Sequence, residues 1–227
     1  VSAPDQNAPL VLGIVGGIGA GKSAVARVLA TMGYVVLDSD TAAKALLNRP
    51  EVQRTLVQWW GDSVIDAQRI TDRKAIADII FRDASQRQRL ESLIHPMLKD
   101  DRQHIIRQVR AGTYLLPNTA TQQPQPAAGA VVDAPLLFEA HVDRECDAVL
   151  FVDCPRHLRL ARVQHSRGWT DAELTRRENA QMPLTDKRAR SHAIIQNDSD
   201  ESALSARVAA AIQSIRAARA AQTPPSP

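Results

Sequence analysis

Gly16, Gly21, Lys22 and Ser23 stand at the spacing G-x-x-x-x-G-K-[S/T], in a segment where five of the 10 glycines fall between Gly13 and Gly21. Such clustering marks backbone that must pass where side chains would obstruct. The apolar run 10–15 before it suits a buried strand, and the Ala- and Leu-rich stretch 24–30 after it suits a helix. A loop closing onto a helix N-terminus turns successive backbone N–H groups inward. Those donors and the helix dipole suit a phosphate chain. The expected ligands are the loop amides of Gly17, Ile18, Gly19, Ala20 and Gly21, with Lys22 reaching the β- and γ-phosphates and Ser23 offering a hydroxyl to Mg²⁺. The pattern predicts nucleoside triphosphate binding. It does not name a reaction, because kinases, switch GTPases and motor ATPases share such loops.

Carboxylates separate these classes. A GTPase switch needs Asp-x-x-Gly and Asn-Lys-x-Asp, yet no Asp in the chain has Gly three residues later and no Asn is followed by Lys. A small-molecule kinase needs a carboxylate on the acceptor side. The β-prone run 34–37 ends in Asp38-Ser39-Asp40, which places two carboxylates at the carboxyl end of a strand, where ligands bind in open α/β sheets. One Asp is expected to cap the following helix and the other to face substrate, and spacing alone does not rank them. A further run, 130–133, ends in Asp133 and resembles a strand whose final carboxylate helps hold Mg²⁺ through water.

Positive charge is concentrated in one stretch. Residues 156–190 hold nine Lys/Arg and four Asp/Glu, 9 − 4 = +5, in a chain of net +3. Arg156, Arg159 and Arg162 recur every three residues along one helix face, and Arg167-Gly168 ends that helix. The stretch reads as a lid that delivers guanidinium groups to a transferring phosphoryl. Most of these arginines are expected on the surface and one to three at the reacting phosphoryl, with Arg162 and Arg167 the best candidates because they flank the turn.

The elements that must position these groups follow from the remainder of the 227 residues. At 44% hydrophobic and 4% aromatic, the core must be built from Ala, Val, Leu and Ile. A net charge of +3 is too small to make nucleic acid the default partner. The two cysteines, Cys146 and Cys154, make neither a disulfide framework nor a zinc site, and suit a reducing compartment. No run approaches the ~18 apolar residues of a membrane helix, and a soluble, cytoplasmic protein is expected. Strand candidates at 148–152 and 193–196 join the three above, alternating with helical stretches, which implies a mainly parallel sheet covered on both faces. Helices are expected over 41–48, 52–60, 73–81, 85–94 and 97–110, with a break at His95-Pro96. His95 is read evenly as a helix-end residue or a substrate contact. Trp59-Trp60 reads as packing. Flexible segments are expected at 112–129, 1–9 and 218–227.

Taken in order, the motifs resemble those of the bacterial dephospho-CoA kinases over 11–215. They are Gly16 to Ser23, Asp38-Ser39-Asp40, Thr71-Asp72-Arg73, His95-Pro96, Val132-Asp133-Ala134-Pro135-Leu136-Leu137-Phe138-Glu139, Gln181 with Lys187, and Ile195-Gln196-Asn197. The resemblance implies an α/β P-loop fold with a five-stranded parallel sheet, helices on both faces, a helical substrate-binding insertion and a helical lid. It implies a kinase domain over 11–217, with core 11–40, 130–155 and 191–217, CoA-binding region 41–111 and lid 156–190. The implied reaction is phosphorylation of the ribose 3′-hydroxyl of dephospho-CoA by ATP with Mg²⁺. The resemblance also implies that Asp40 faces that hydroxyl, that Asp38, Arg73, His95, Pro135 and Leu136 serve the substrate, and that Asn197 lies near the adenine. The chain departs from the family pattern at Ala24, where Thr is usual, at Arg159, where Gln is usual, at Arg167, displaced by one position, and at Asp198-Ser199, where a Gly is usual. Two rivals follow from the loop alone. One is a kinase of nucleosides or nucleoside monophosphates, and the other is a non-catalytic nucleotide-binding regulator.

Overall fold

The apolar runs become strands in a computed structural model that describes residues 8–117 and 123–222. In chain order the elements are β1 (Leu10–Gly16), α1 (Lys22–Thr31), β2 (Tyr34–Asp38), α2 (Ser39–Leu47), α3 (Pro50–Trp60), α4 (Arg73–Arg82) and α5 (Ala84–Arg110). There follow β3 (Leu115–Leu116), β4 (Gln125–Pro126), β5 (Gly129–Asp133), β6 (Ala148–Asp153), α6 (Arg156–Arg167), α7 (Asp171–Glu178), α8 (Leu184–Ala189), β7 (Ala193–Gln196) and α9 (Glu201–Gln222). The chain divides into two compact units, 38–104 and the remainder.

The larger unit is built on a sheet of order β2-β5-β1-β6-β7. The β1–β5, β1–β6 and β6–β7 pairings are parallel, with Ile14 opposite both Asp133 and Leu150. Strand β1 lies at the centre and is buried along its whole length. Side chains alternate between faces. Leu10, Leu12, Ile14, Leu150 and Val152 enter one core with α1 and α9. Val11, Val15, Val149 and Phe151 enter the other, with Ile106, Val109, Leu137 and Phe138. Each fully buried aliphatic contributes roughly 1.5–3 kcal/mol, so the central strand is held from both sides. Helix α1 presents Val25, Ala26, Val28 and Leu29 to the sheet. The loop that joins β1 to α1 is thereby fixed at both ends.

The helical unit has its own core of Leu46, Val52, Leu56, Val64, Ile76 and Ile94. Trp59 and Trp60 pack edge-to-face at 5.8 Å against it, and the Trp60 indole donates to Gln86 Oε1 at 2.8 Å. The expected break at His95-Pro96 is absent. Helix α5 runs unbroken with Pro96 inside it. The proline removes the donor for the Ser92 carbonyl, a loss of about 3 kcal/mol in a helix interior. Leu90, Leu93, Ile94, Met97 and Leu98, on both sides of the proline, pack into one core and outweigh it.

Two segments expected to be flexible are more ordered than that. Within 112–129, β3 and β4 pair antiparallel, Ala127 is buried and the Ala128 amide donates to Gly33 O at 2.8 Å. Residues 118–122 lie outside the described residues, as do 1–7 and 223–227. At the other end α9 continues through 218–222. Among the described residues no helix is long and apolar enough to cross a membrane.

Candidate active site

The phosphate loop leaves β1 at Gly16 and enters α1 through Gly21, whose left-handed backbone (φ +92°, ψ +31°) forms the helix N-cap without a side-chain cap. Gly19 is also left-handed, at φ +77°. The glycines serve a second purpose that the sequence does not reveal. A Cβ on Gly17 would meet Arg159 Nη1 at 2.7 Å, and one on Gly21 would meet Asn197 Nδ2 at 2.0 Å. Side chains press on the loop from behind, and only glycine admits them.

Those side chains come from α6 and from the end of β7. Arg159, 5% exposed, donates through Nε to Cys154 O at 3.1 Å and through Nη1 to Ile18 O at 3.4 Å, and it pairs with Glu178 of α7. Arg162 donates through Nη1 to Gly19 O at 3.4 Å and Ala20 O at 3.2 Å, and through Nη2 to Asn197 O at 3.1 Å. Asn197, also 5% exposed, donates through Nδ2 to Ala20 O at 2.7 Å. Arg162 was expected on the transferring phosphoryl; its guanidinium instead faces the carbonyl side of the loop. Arg167, exposed at the C-terminal end of α6, lies 4.8 Å from the Trp169 ring, which Arg177 also approaches at 4.2 Å.

Lys22 donates to the carbonyls of Gly16 and Gly17 at 3.2 and 3.3 Å. Burial lowers the pKa of its ammonium. Asp133 opposes that shift, while the charges of Lys187, Arg167 and Arg159 add to it. These groups therefore share one electrostatic neighbourhood. Asp133 ends β5, and Ser23 stands exposed in the first turn of α1. A hydroxyl and a carboxylate are hard oxygen donors of the kind Mg²⁺ takes alongside water and phosphate. Among the described residues no cluster of three or more His, Cys, Asp or Glu is placed to hold a metal by itself.

Beyond Asp133 the chain turns through Pro135 and Leu136, both exposed, to Glu139. Glu139 Oε1 lies 3.2 Å from Lys187 Nζ and accepts from the Met182 amide at 2.9 Å. Lys187 is 2% exposed and also donates to Gln181. Burial pushes the Glu139 carboxyl up, but the Met182 amide and the Lys187 ammonium outweigh it and hold the group below its ordinary range. Arg159, not among the arginines singled out for the phosphoryl, is buried rather than on the surface. Glu139 and Lys187 stand in the sequence only as motif residues without a role, and Glu178 has no place in the sequence reading. The signal available was Arg159 itself, a charge where the family pattern has an amide, and its burial in the fold is what requires a counter-ion.

In the helical unit, Asp38 spends its carboxylate on α2. Oδ1 accepts from the amides of Asp40 and Thr41 at 2.9 and 3.1 Å, and Oδ2 from the Thr41 hydroxyl at 2.9 Å. Asp40 is exposed in the first turn of that helix. Thr71 is buried and donates to Leu47 O at 2.6 Å, Asp72 caps α4, and Arg73 is the exposed first residue of that helix. His95 is exposed on α5.

A family model described as dephospho-CoA kinase matches residues 10–203. A dephospho-CoA kinase of Thermobifida fusca is 33% identical over 202 residues, 88% of this chain and 93% of that protein. One from Deinococcus radiodurans is 35% identical over 207 residues, 91% and 93% of the two chains. A crystal structure of a Thermus thermophilus protein superposes with TM-score 0.68 at 28% identity, covering 95% of this chain and 99% of the other. That of a Campylobacter jejuni dephospho-CoA kinase does so with TM-score 0.62 at 17% identity, covering 91% and 97%, a likeness of fold.

Proposed function

This chain belongs to the dephospho-CoA kinase family, and from that premise we propose that it transfers the γ-phosphoryl of ATP to the ribose 3′-hydroxyl of dephospho-CoA, giving CoA and ADP. The observation that carries this reading is the loop at the carboxyl end of the central strand. The carbonyls of Ile18, Gly19 and Ala20 are tied from behind by Arg159, Arg162 and Asn197, those of Gly16 and Gly17 accept from Lys22, and among the described residues no hydrogen bond occupies the N–H groups of Ile18, Gly19, Gly21, Lys22 and Ser23.

In the reaction the 3′-oxygen bonds to phosphorus as the bond from phosphorus to the β,γ-bridging oxygen breaks, and that oxygen keeps the electron pair. The transition state is loose, so positioning and charge stabilisation dominate. The loop amides and Lys22 hold the phosphates. Ser23 and Asp133, the latter through water, are the residues that would hold Mg²⁺, which neutralises phosphate charge when bound. Asp40 accepts the proton of the 3′-hydroxyl. Asp38 builds the helix turn that presents Asp40. Arg167 is the lid cation available to the γ-phosphoryl. In the larger unit Pro135 and Leu136, and in the helical unit Arg73 and His95, are the residues that serve the acceptor in this reading.

A coupled ADP-release assay with ATP tests the reading. Release that depends on dephospho-CoA is expected. Turnover only with nucleosides or nucleoside monophosphates would transfer the chain to another kinase specificity. Nucleotide binding without any acceptor-dependent release would make it a regulator.

A further inference from the structure

The carbonyl edge of the phosphate loop is saturated with donors, residue by residue. Gly17 O takes the Ala20 amide and Lys22, Ile18 O takes Arg159, Gly19 O takes Arg162, Ala20 O takes Arg162 and Asn197, and Gly21 O takes the Ala24 and Val25 amides. The N–H and C=O of a peptide unit point in opposite directions. A donor that fixes the Ile18 or Ala20 carbonyl outward therefore aims the next N–H, that of Gly19 or Gly21, at the phosphate side, whereas the Ala20 N–H turns back to Gly17 O. We propose that Arg162 and Asn197 are positioning residues that act on the nucleotide through this carbonyl edge, and that neither touches the γ-phosphoryl or the base to exert its effect.

Three observations converge. Both terminal nitrogens of the Arg162 guanidinium are engaged by backbone, Nη1 by the Gly19 and Ala20 carbonyls and Nη2 by Asn197 O, and Nη1 also lies 3.3 Å from Cys154 Sγ. The Asn197 amide nitrogen is buried against Gly21 so closely that no Cβ fits between them. The two residues are joined to each other, Arg162 Nη2 donating to Asn197 O, while both hold Ala20 O. One shared carbonyl links α6 of the lid stretch to the end of β7, and the helix and the strand end then set the loop together. Preorganised donors of this kind strengthen binding because their geometry is set before the ligand arrives.

The inference rests on reading the loop as the nucleotide phosphate site, and its test separates the two ideas. Dissociation constants of ATP, ADP and inorganic tripolyphosphate are measured by calorimetry for the full chain, for Arg162→Met, Arg162→Lys and Asn197→Ala, and for the Arg162→Met/Asn197→Ala double variant. Arg162→Met and Asn197→Ala should each weaken all three ligands by a common factor, about tenfold, the effect of losing one hydrogen bond to a charged or buried partner. Arg162→Lys should recover part of the loss. The double variant should lose less than the product of the single losses, because both donors serve Ala20 O.

A γ-phosphoryl role for Arg162 predicts a different pattern, with ATP and tripolyphosphate weakened while ADP affinity stays within about twofold of the parent. A base contact by Asn197 predicts weaker ATP and ADP with tripolyphosphate unchanged. Either result overturns the proposal for that residue. If Arg162→Met does not fold, Asn197→Ala and Arg162→Lys still decide it. None of these measurements involves the acceptor. A parent chain that binds nucleotide but leaves dephospho-CoA untouched removes the proposed reaction and spares this inference, whereas one that binds neither nucleotide nor tripolyphosphate removes both.

Discussion

Lys22 shows what a phosphate site costs at the scale of one residue. Its ammonium is half-buried among like charges, and its pKa is lowered accordingly. A lysine whose folded pKa is depressed carries its penalty in full at low and neutral pH and loses it as pH rises towards the ordinary value of 10.5. Lys22→Met should therefore lower kcat by about 10²–10³-fold or more while melting at the same temperature as the parent or above it. A clear fall in melting temperature would mean that the residue serves the fold. Asp38 and Asp40 make the reverse comparison. Asp38→Ala should cost about 1 kcal/mol of stability, the worth of an N-cap, and Asp38→Asn little, because Asn caps as well as Asp. Asp40→Asn should cut kcat by about 10²-fold with ATP affinity unchanged, as checked by turnover beside calorimetry. Glu139 adds a pH effect. Its lowered pKa contributes stability that is present above the ordinary 4.5 and lost as pH falls through the folded value. Between neutral pH and acid the parent should lose more melting temperature than Glu139→Gln, and parallel curves would show that the carboxylate contributes nothing.

Element boundaries carry the next set of consequences. Most charges of the 156–190 stretch are already paired. Arg156 meets Asp171, Arg176 and Arg177 meet Glu173, and Arg188 meets Asp153. Exposed pairs of this type are screened by solvent and contribute little to stability. The Arg159–Glu178 pair between α6 and α7 differs because its side chains are only 7% and 20% exposed. Removing the carboxylate strands a buried guanidinium, so Glu178→Ala should cost about 3 kcal/mol or more. Arg159→Met should cost less, because the more exposed Glu178 can turn to water. Equal losses measured by urea denaturation would contradict this asymmetry. Within α5, Pro96→Ala restores a donor for the Ser92 carbonyl. It should raise the stability of the helical unit by about 1–2 kcal/mol, the helix gain less the entropy that proline removes from the unfolded chain. No gain would show that α5 has already relaxed around the ring.

At the scale of the molecule, separate cores make the two units separable in energy. Leu56 is fully buried in the helical unit, and Leu56→Ala should cost about 2–5 kcal/mol there. ATP binding, which belongs to the larger unit, should keep its dissociation constant. Conversely, ATP at 100 times its dissociation constant should stabilise the folded site by about 2.7 kcal/mol. Hydrogen exchange should register that protection in 16–23 and in α6 before it registers in α3 or α4. A Leu56→Ala variant that loses ATP affinity in proportion to its stability would show one cooperative unit in place of two.

Much of this molecule is legible in its residues because the relevant physics is local. Strand alternation, the glycine spacing of the loop, and the carboxylates that end 34–38 and 130–133 all act within a few residues of one another. The sheet, the phosphate loop and the capping competition between Asp38 and Asp40 could therefore be stated before any coordinates. Tertiary structure decided the rest. It resolved that competition in favour of Asp38 as the cap, and it carried α5 through Pro96 because a shared core outweighs one lost hydrogen bond. It also placed Arg159, Arg162 and Asn197 behind a loop more than 130 residues away in sequence. Which side of a backbone an arginine reaches depends on the packing of helices far apart in the chain, and no spacing rule within a single segment encodes that.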